Sequence, residues 1–336
     1  MITRRNFLVR NSLLSAALAV PGVLMSFAKP EENADHTFDV IIVGGSYAGL
    51  AAAMALGRSL RKVLIIDSGL PCNRQTPHSH NFLTQDGVPP KEIAAKGREQ
   101  VQHYDTVSFY ESVAVQAKKK GEIFELTTQS GRVFSARKLL FATGLKDLMP
   151  PIPGFAECWG ISILHCPYCH GYEVKGLATG IWANGDMAVH YAPLVANLTK
   201  QVFIFTDGAA TFSEDQAQLI RKNNIHIVEQ QVKALIHDNG QLSGIHLQDG
   251  AVYPIRALYA RPAFEQHCKI PLEMGCALTE QGLLKLDNFQ QTTIPGVYAC
   301  GDNSAMRAVA TAVATGTGAG AAINLALSTA DFNLKK

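Results

Sequence analysis

The chain has 336 residues, 47% hydrophobic and 17% charged, with a formal net charge of +2. That length suits about two domains with substantial cores, and the composition excludes a disordered or fibrous protein. The positive excess resides in Arg4, Arg5 and Arg10; without the first 28 residues the balance is about −1, and no basic stripe suits nucleic acid.

The N-terminus, Thr3-Arg4-Arg5-Asn6-Phe7-Leu8, precedes an apolar stretch from Ser12 to Phe27 broken by Pro21 and Gly22, and Ser26-Phe27-Ala28 offers small residues for cleavage. This pattern predicts a twin-arginine export signal over residues 1–28 and a periplasmic destination, for a protein that takes up its cofactor before export. No later stretch is expected to supply the roughly 18 apolar residues of a bilayer span. Residues 29–36 read as a polar linker.

Phe38 to Val43 is a nearly continuous apolar run, as a buried parallel strand requires. Gly44-Gly45-Ser46 makes a turn, Tyr47 to Arg58 reads as a helix, and Val63 to Ile66 is a second strand ending at Asp67. A helix is expected over Lys91–His103, and strands over Val107–Tyr110, Ile123–Thr127 and Lys138–Phe141, the last stopping at Ala142-Thr143-Gly144. The proline-rich Pro150-Pro151-Ile152-Pro153-Gly154 is a plausible hinge. Ala178–Trp182 starts a second nucleotide-domain-like unit, with strands at Val202–Phe205, Ile225–Val228, Val232–His237, Ile245–Leu247 and Leu258–Ala260. Gly296 to Asp302 is a strand meeting an acidic turn, and a small-residue helix spans about Ala308 to Leu327. The fold class is therefore α/β: two Rossmann-like (three-layer ββα) dinucleotide-binding domains, the second (153–280) inserted in the first (29–152 plus 281–330).

Gly44-Gly45-Ser46-Tyr47-Ala48-Gly49 follows a strand and opens a helix, so backbone amides can approach a pyrophosphate, and Asp67 lies where a carboxylate meets a ribose hydroxyl. Ser46 replaces the middle glycine of G-x-G-x-x-G by another small residue. In the second unit the turn is Ala183-Asn184-Gly185-Asp186-Met187-Ala188, where only Gly185 and Ala188 keep the pattern and Asn184 is expected to supply left-handed geometry. Thr206-Asp207-Gly208-Ala209-Ala210 carries no cation for a 2′-phosphate. NADPH use is thus disfavoured, while Asp207 leaves NADH less excluded.

Seven cysteines, an odd number spread through the chain, make no disulfide scaffold. Cys166-Pro167-Tyr168-Cys169-His170 has redox spacing, and spacing alone leaves a Cys268–Cys276 bridge open. C-x-x-C-H also attaches c-type haem, but here it lies between two nucleotide units. A zinc cage from His165, Cys166, Cys169 and His170 would be too crowded, and no metal is expected. A non-catalytic flavin-binding protein is a further alternative.

The glycine turn, Ala142-Thr143-Gly144, Cys166-x-x-Cys169 and Gly296-Val297-Tyr298-Ala299-x-Gly301-Asp302 occur in the order seen in low-molecular-weight thioredoxin reductases, over about residues 37–328. Cys166 to Glu173 (C-P-Y-C-H-G-Y-E), Pro71-Cys72-Asn73-Arg74 and His78 to Leu83 resemble the dithiol oxidases of gliotoxin- and holomycin-type natural products, which carry His where reductases carry Asp. The resemblance implies FAD held by Gly44, Gly45, Ser46, Ala48, Gly49, Asp67 and Ser68, by Arg74, His80 and Asn81, and by Ala142, Thr143 and Gly144. It also implies Gly301 and Asp302 on the ribityl-phosphate side, Ala308 and Val309 near the ring, and a homodimer. Cys169 would be the flavin-proximal thiol, Cys166 the exchange thiol and His170 the acid/base, suited to proton exchange near neutrality. The implied activity is oxidation of a dithiol (small molecule, peptide or protein) to a disulfide, with electrons passing through FAD to O2. The alternative is an NAD(P)H-dependent disulfide reductase.

Overall fold

The structure is a computed structural model that describes residues 37–334; the export signal and linker of the sequence reading lie outside that range. β1 (Thr37–Val43), α1 (Tyr47–Arg58) and β2 (Val63–Asp67) form the first β-α-β unit, followed by α2 (Pro90–Gln102) and β3 (Val107–Glu111). β4 (Ala114–Lys120), β5 (Ile123–Thr128) and β6 (Val133–Phe141) run antiparallel to one another. After β7 (Leu145–Asp147), α3 (Phe155–Cys158), β8 (Ile163–Leu164) and the one-turn α4 (Pro167–His170), a second unit comprises β9 (Thr179–Trp182), α5 (Gly185–Ala196), β10 (Val202–Phe205), α6 (Glu214–Lys222) and β11 (His226–Val228). β12 (Val232–Asp238), β13 (Gln241–Leu247) and β14 (Val252–Tyr253) form an antiparallel meander; then come β15 (Ala257–Ala260), β16 (Phe264–Gln266), α7 (Ile270–Glu273), β17 (Val297–Ala299) and α8 (Val309–Asn333).

The first sheet has the order β3-β2-β1-β6-β5-β4, with β17 parallel to the C-terminal end of β6. The second, β11-β10-β9-β15-β8, is all parallel. Between them β7 and β16 pair as a two-stranded ribbon, so the chain leaves the first sheet and returns to it. Alternation explains why β1 is apolar throughout: Val40 and Ile42 pack with α1, while Ile41 and Val43 pack with Phe124, Leu126 and Leu284 on the opposite face.

α8 combines length with a mean hydropathy of 1.2 over its most apolar window, enough by length and composition to cross a membrane. The sequence reading did not anticipate this, because Gly and Thr interrupt the apolar residues. Its inner face packs on α1, and a Cβ on Gly316 or Gly320 would collide with the Ala48 or Ala52 carbonyl. Close backbone approach is what those glycines permit.

The end of α8 is fastened by charge. Asp331 accepts from Arg61 Nη1 (2.8 Å) and Arg137 Nη2 (2.6 Å), while Asp39 pairs with Arg137 (3.2 Å). Arg61 also donates to Asn324 and Ser328. Hydrogen bonds from the two guanidinium groups hold the Asp331 carboxyl down at about 2. A depressed folded-state pKa adds stability that is present above the unfolded value of about 3.9 and lost as pH falls toward 2. Asp331→Asn should therefore lower the melting midpoint at pH 7, and the difference from wild type should vanish as pH drops from about 4 to 2. Calorimetry across that range checks it; a difference that persists unchanged at pH 2 would refute the charge origin.

Candidate active site

The glycine turn forms as its sequence requires. Gly44 has φ +104°, and a Cβ there would strike the Ala142 carbonyl. Gly45 has room only for hydrogen, because a Cβ would lie 3.0 Å from the Asp67 side chain. A Cβ on Gly49 would strike the Gly44 carbonyl. Ser46 is extended and caps nothing with its hydroxyl, so the first amides of α1 have no side-chain acceptor. Gly301 (φ +81°) abuts Ala48 and donates to Thr315 Oγ1 at 3.1 Å. Gly45, Asp67, Ala142 and Gly301 thus meet around the turn at the C-terminal edge of the first sheet, where nucleotides bind open α/β sheets.

Along one side runs the segment after Asp67 and Ser68. Asn73 donates to Tyr47 OH (3.2 Å), and Cys72 Sγ lies 4.0 Å from Asp302 Oδ2. Cys72 is exposed at the crevice edge; the protein packed around it, then Asp302, push its thiol up to about 11. Burial raises the Asp302 carboxyl to about 6, against the opposing Arg307 cation. Arg307 grips Asp147 with both terminal nitrogens (2.7 and 2.9 Å), and its buried Nε, 3.9 Å from Asp302, has no hydrogen-bond partner among the described residues. Asp147 also accepts from Trp159 Nε1 (3.2 Å). Ala308 caps α8 without a side-chain bond, and α8 opens at Val309 with no acidic residue in its first turn. Uncapped helix starts, a glycine–aspartate cradle and an orphaned guanidinium nitrogen fit a flavin dinucleotide.

Of the expected cofactor residues, Arg74 turns its side chain back onto the Pro71 carbonyl (3.2 Å), and Asn81, at φ +57°, donates its backbone N–H to Asp86 Oδ1 (2.8 Å). Thr143 sits 3.5 Å from the buried Asn303 amide.

β8 ends at Leu164 and delivers the redox pair beyond the second sheet. Cys166 and Cys169 form a disulfide with Cα atoms 5.3 Å apart, Cys166 serving as N-cap of α4 and Pro167 as its first residue. The Cys169 amide donates to Cys166 Sγ at 3.1 Å. The His170 ring stands edge-on to His80, centroids 6.1 Å apart. Burial, reinforced by His80 and opposed by Glu173, pushes His170 below its ordinary value. His165 is driven to about 4 by burial and then by the Arg307 cation, and its Nε2 is buried without a partner. Both imidazoles are therefore neutral at pH 7. Cys268 and Cys276 remain free thiols, Cys276 donating to Thr292 Oγ1.

The second turn is closed on itself. Asn184 is extended (φ −128°) and Gly185 is the left-handed residue (φ +56°), the reverse of the sequence expectation. Asn184 Oδ1 accepts from Gly185 N (2.8 Å), Thr211 N (2.9 Å) and Thr211 Oγ1 (3.1 Å), while its Nδ2 donates to the Ala209 carbonyl (2.9 Å). Asp207 Oδ1 accepts from Val232 N (2.7 Å), so that carboxylate is engaged rather than presented to a ribose. Glu229 anchors Ala210 N at 2.6 Å. The chain's own atoms thus engage Gly185 N and the whole Asn184 side-chain amide at the start of α5.

Glu173, Arg307, Asp147 and Trp159 escaped sequence reasoning as site residues. Glu173 closed the quoted C-P-Y-C-H-G-Y-E motif, which was the available signal; the other three carry none before folding.

Residues 38–316 match the family model described as pyridine nucleotide-disulphide oxidoreductase. The thioredoxin reductase aclD of Aspergillus oryzae is 35% identical over 280 residues, covering 79% of this chain and 88% of its own. Among solved structures, an oxidoreductase from Agrobacterium tumefaciens shares 35% identity with a TM-score of 0.82, covering 87% and 99% of the two chains. HlmI shares 30% with a TM-score of 0.83, covering 89% and 95%. With that extent of match and a formed C-x-x-C disulfide, the chain belongs to the pyridine nucleotide-disulphide oxidoreductase family, as a thioredoxin reductase-like, flavin-dependent disulfide oxidoreductase.

Proposed function

We propose that the chain oxidises a dithiol to a disulfide through Cys166 and Cys169 and passes the two electrons through FAD to O2. The observation that carries this reading is the second nucleotide turn, where Asn184 Oδ1 takes up Gly185 N and Thr211 N, and Asp207, engaged by Val232 N, is turned from a ribose. A nicotinamide pyrophosphate would compete with the Asn184 bonds, which supports entry of electrons from the substrate's thiols.

The side chains suit that direction. A substrate thiolate attacks Cys166 Sγ, the Cys166–Cys169 bond breaks, and Cys169 leaves as thiolate. The second substrate thiol attacks its own partner sulfur, releasing the product disulfide and the Cys166 thiolate. The Cys169 amide, 3.1 Å from Cys166 Sγ, stabilises negative charge on that leaving sulfur. His170, neutral at pH 7, takes the substrate thiol proton. The glycine turn and Asp67 would hold the adenosine end of FAD, Asp302 the ribityl side, and the start of α8 at Ala308 and Val309 the ring. Bound there, FAD would supply the two-electron acceptor for the reduced cysteine pair, with O2 as the final oxidant and hydrogen peroxide as its product.

We also propose a homodimer through the outer face of α8. Ala314, Gly318, Ala321 and Leu325 line a groove of about 450 Å³ with Phe289, and Gly318 opens onto free space. Small residues there allow close approach by the same helix of a second copy. The paired arginines ahead of an apolar stretch support export by the twin-arginine route.

Mixing the purified protein with dithiothreitol in air should consume oxygen. Cys169→Ser should abolish that turnover while FAD stays bound; turnover surviving the change would refute the electron path. Under argon, micromolar NADPH or NADH should leave the flavin yellow, and rapid bleaching would favour the reductase reading. Sedimentation should show a dimer that Ala321→Glu converts to monomer with FAD retained, whereas a monomeric wild type rejects the interface. Expression in a bacterium should yield a periplasmic product that stays in the cytoplasm when Arg4 and Arg5 become Lys; unaltered export after that change would reject the route.

A further inference from the structure

We propose that His80 and Glu173 form, with His170, a relay that carries the substrate thiol proton away from the half-buried disulfide to solvent. This deepens the dithiol oxidase reading and rests on it. Glu173 is the third residue after His170, and the turn between them is tight because a Cβ on Gly171 would collide with the Pro167 carbonyl. Glu173 Oε1 thereby reaches His80 Nδ1 at 3.5 Å, from the other side of the contact between the second unit and the 78–88 loop. Asp86 Oδ1 lies 3.6 Å from the same nitrogen but already accepts from Asn81 N. Glu173 is therefore the carboxylate with the freer oxygen.

The loop holds His80 still. Ser79 N donates to the Val88 carbonyl and Gly87 N to the Ser79 carbonyl, at 2.9 and 2.8 Å. His78 Nδ1 is fixed at the Gly87 carbonyl (3.0 Å). A carboxylate facing Nδ1 favours the tautomer that leaves Nε2 as acceptor. The His80 and His170 rings stand at 89° with centroids 6.1 Å apart, a gap that one bridging water spans. Exposure rises outward along the path: the His80 side chain is 18% exposed, Glu173 38% and Asp86 70%. His78 and His165 are the other titratable neighbours of these two rings; the first is tied to its own loop, and the second is neutral. The electrons stay with the sulfurs. The proton leaves the substrate thiol for His170, passes to His80 Nε2, and is released from Nδ1 through Glu173 to water.

The holoenzyme is mixed with dithiothreitol without oxygen, following flavin bleaching and, by acid quench, oxidised dithiothreitol. Glu173→Gln should slow the first disulfide exchange about tenfold, as loss of an orienting partner does, and His80→Ala about a hundredfold. Added imidazole should restore His80→Ala in proportion to its concentration, with every rate taken per bound FAD. Wild-type rates in both variants would overturn the relay, and so would a slow His80→Ala that imidazole cannot rescue. If dithiothreitol fails to bleach even the wild type, the oxidase reading itself fails, a result the variants cannot produce.

Discussion

One buried carboxylate ties the molecule together. Asp147 sits at the end of β7, on the ribbon by which the chain leaves the first sheet, and only 7% of its side chain is exposed. It accepts both terminal nitrogens of Arg307, just before α8, and the indole N–H of Trp159 in the inserted part. Breaking a buried pair by removing one partner costs about 3–5 kcal/mol, because the remaining charge is stranded. Asp147 therefore fixes both how the second unit leaves the first and where α8 begins. The same packing recurs at Gly160, where a Cβ would press 3.0 Å from Thr76 Oγ1. α4 and its disulfide arrive beside His80 because these contacts leave the inserted part seated against the 72–88 segment.

The strands and helices that bury both faces were legible, because continuous apolar runs and small-residue helices have few other uses. α1 and β10 fall where the pattern places them, and α8 only extends further, to Asn333. β4 was missed because Ala-Val-Gln-Ala-Lys-Lys-Lys is an edge strand whose polar face reads as a loop. α6 was missed although Ser213 and Gln216 make a reciprocal capping box, a signal present in the sequence. β6 begins at Val133, earlier than its apolar end suggested, because its first half pairs with β5 and its last residues with β17.

The site was legible to the extent that its chemistry is local. The glycine turn and the C-x-x-C disulfide need only neighbours in sequence. Arg307 and Asp147 are 160 positions apart, and no pattern within either segment foretells that they meet. Asn184 is instructive in a different way. As a substitution in a fingerprint it reads as damage, whereas in the folded chain its side chain is the hub that holds the turn.

These constraints bear on how one disulfide could serve two partners. Tyr168, between the cysteines, is 71% exposed, and Tyr172 just beyond them is also exposed, so the outer side of α4 is open and aromatic. On the inner side His170 meets His80 of the 72–88 segment. In the proposed reading a substrate thiol approaches Cys166 from outside while Cys169 passes electrons inward. A reductase fed by a nicotinamide must present its flavin to that nucleotide as well as to the disulfide. In the proposed reading that second presentation is not required, and a rigid tie at Asp147 is compatible with turnover.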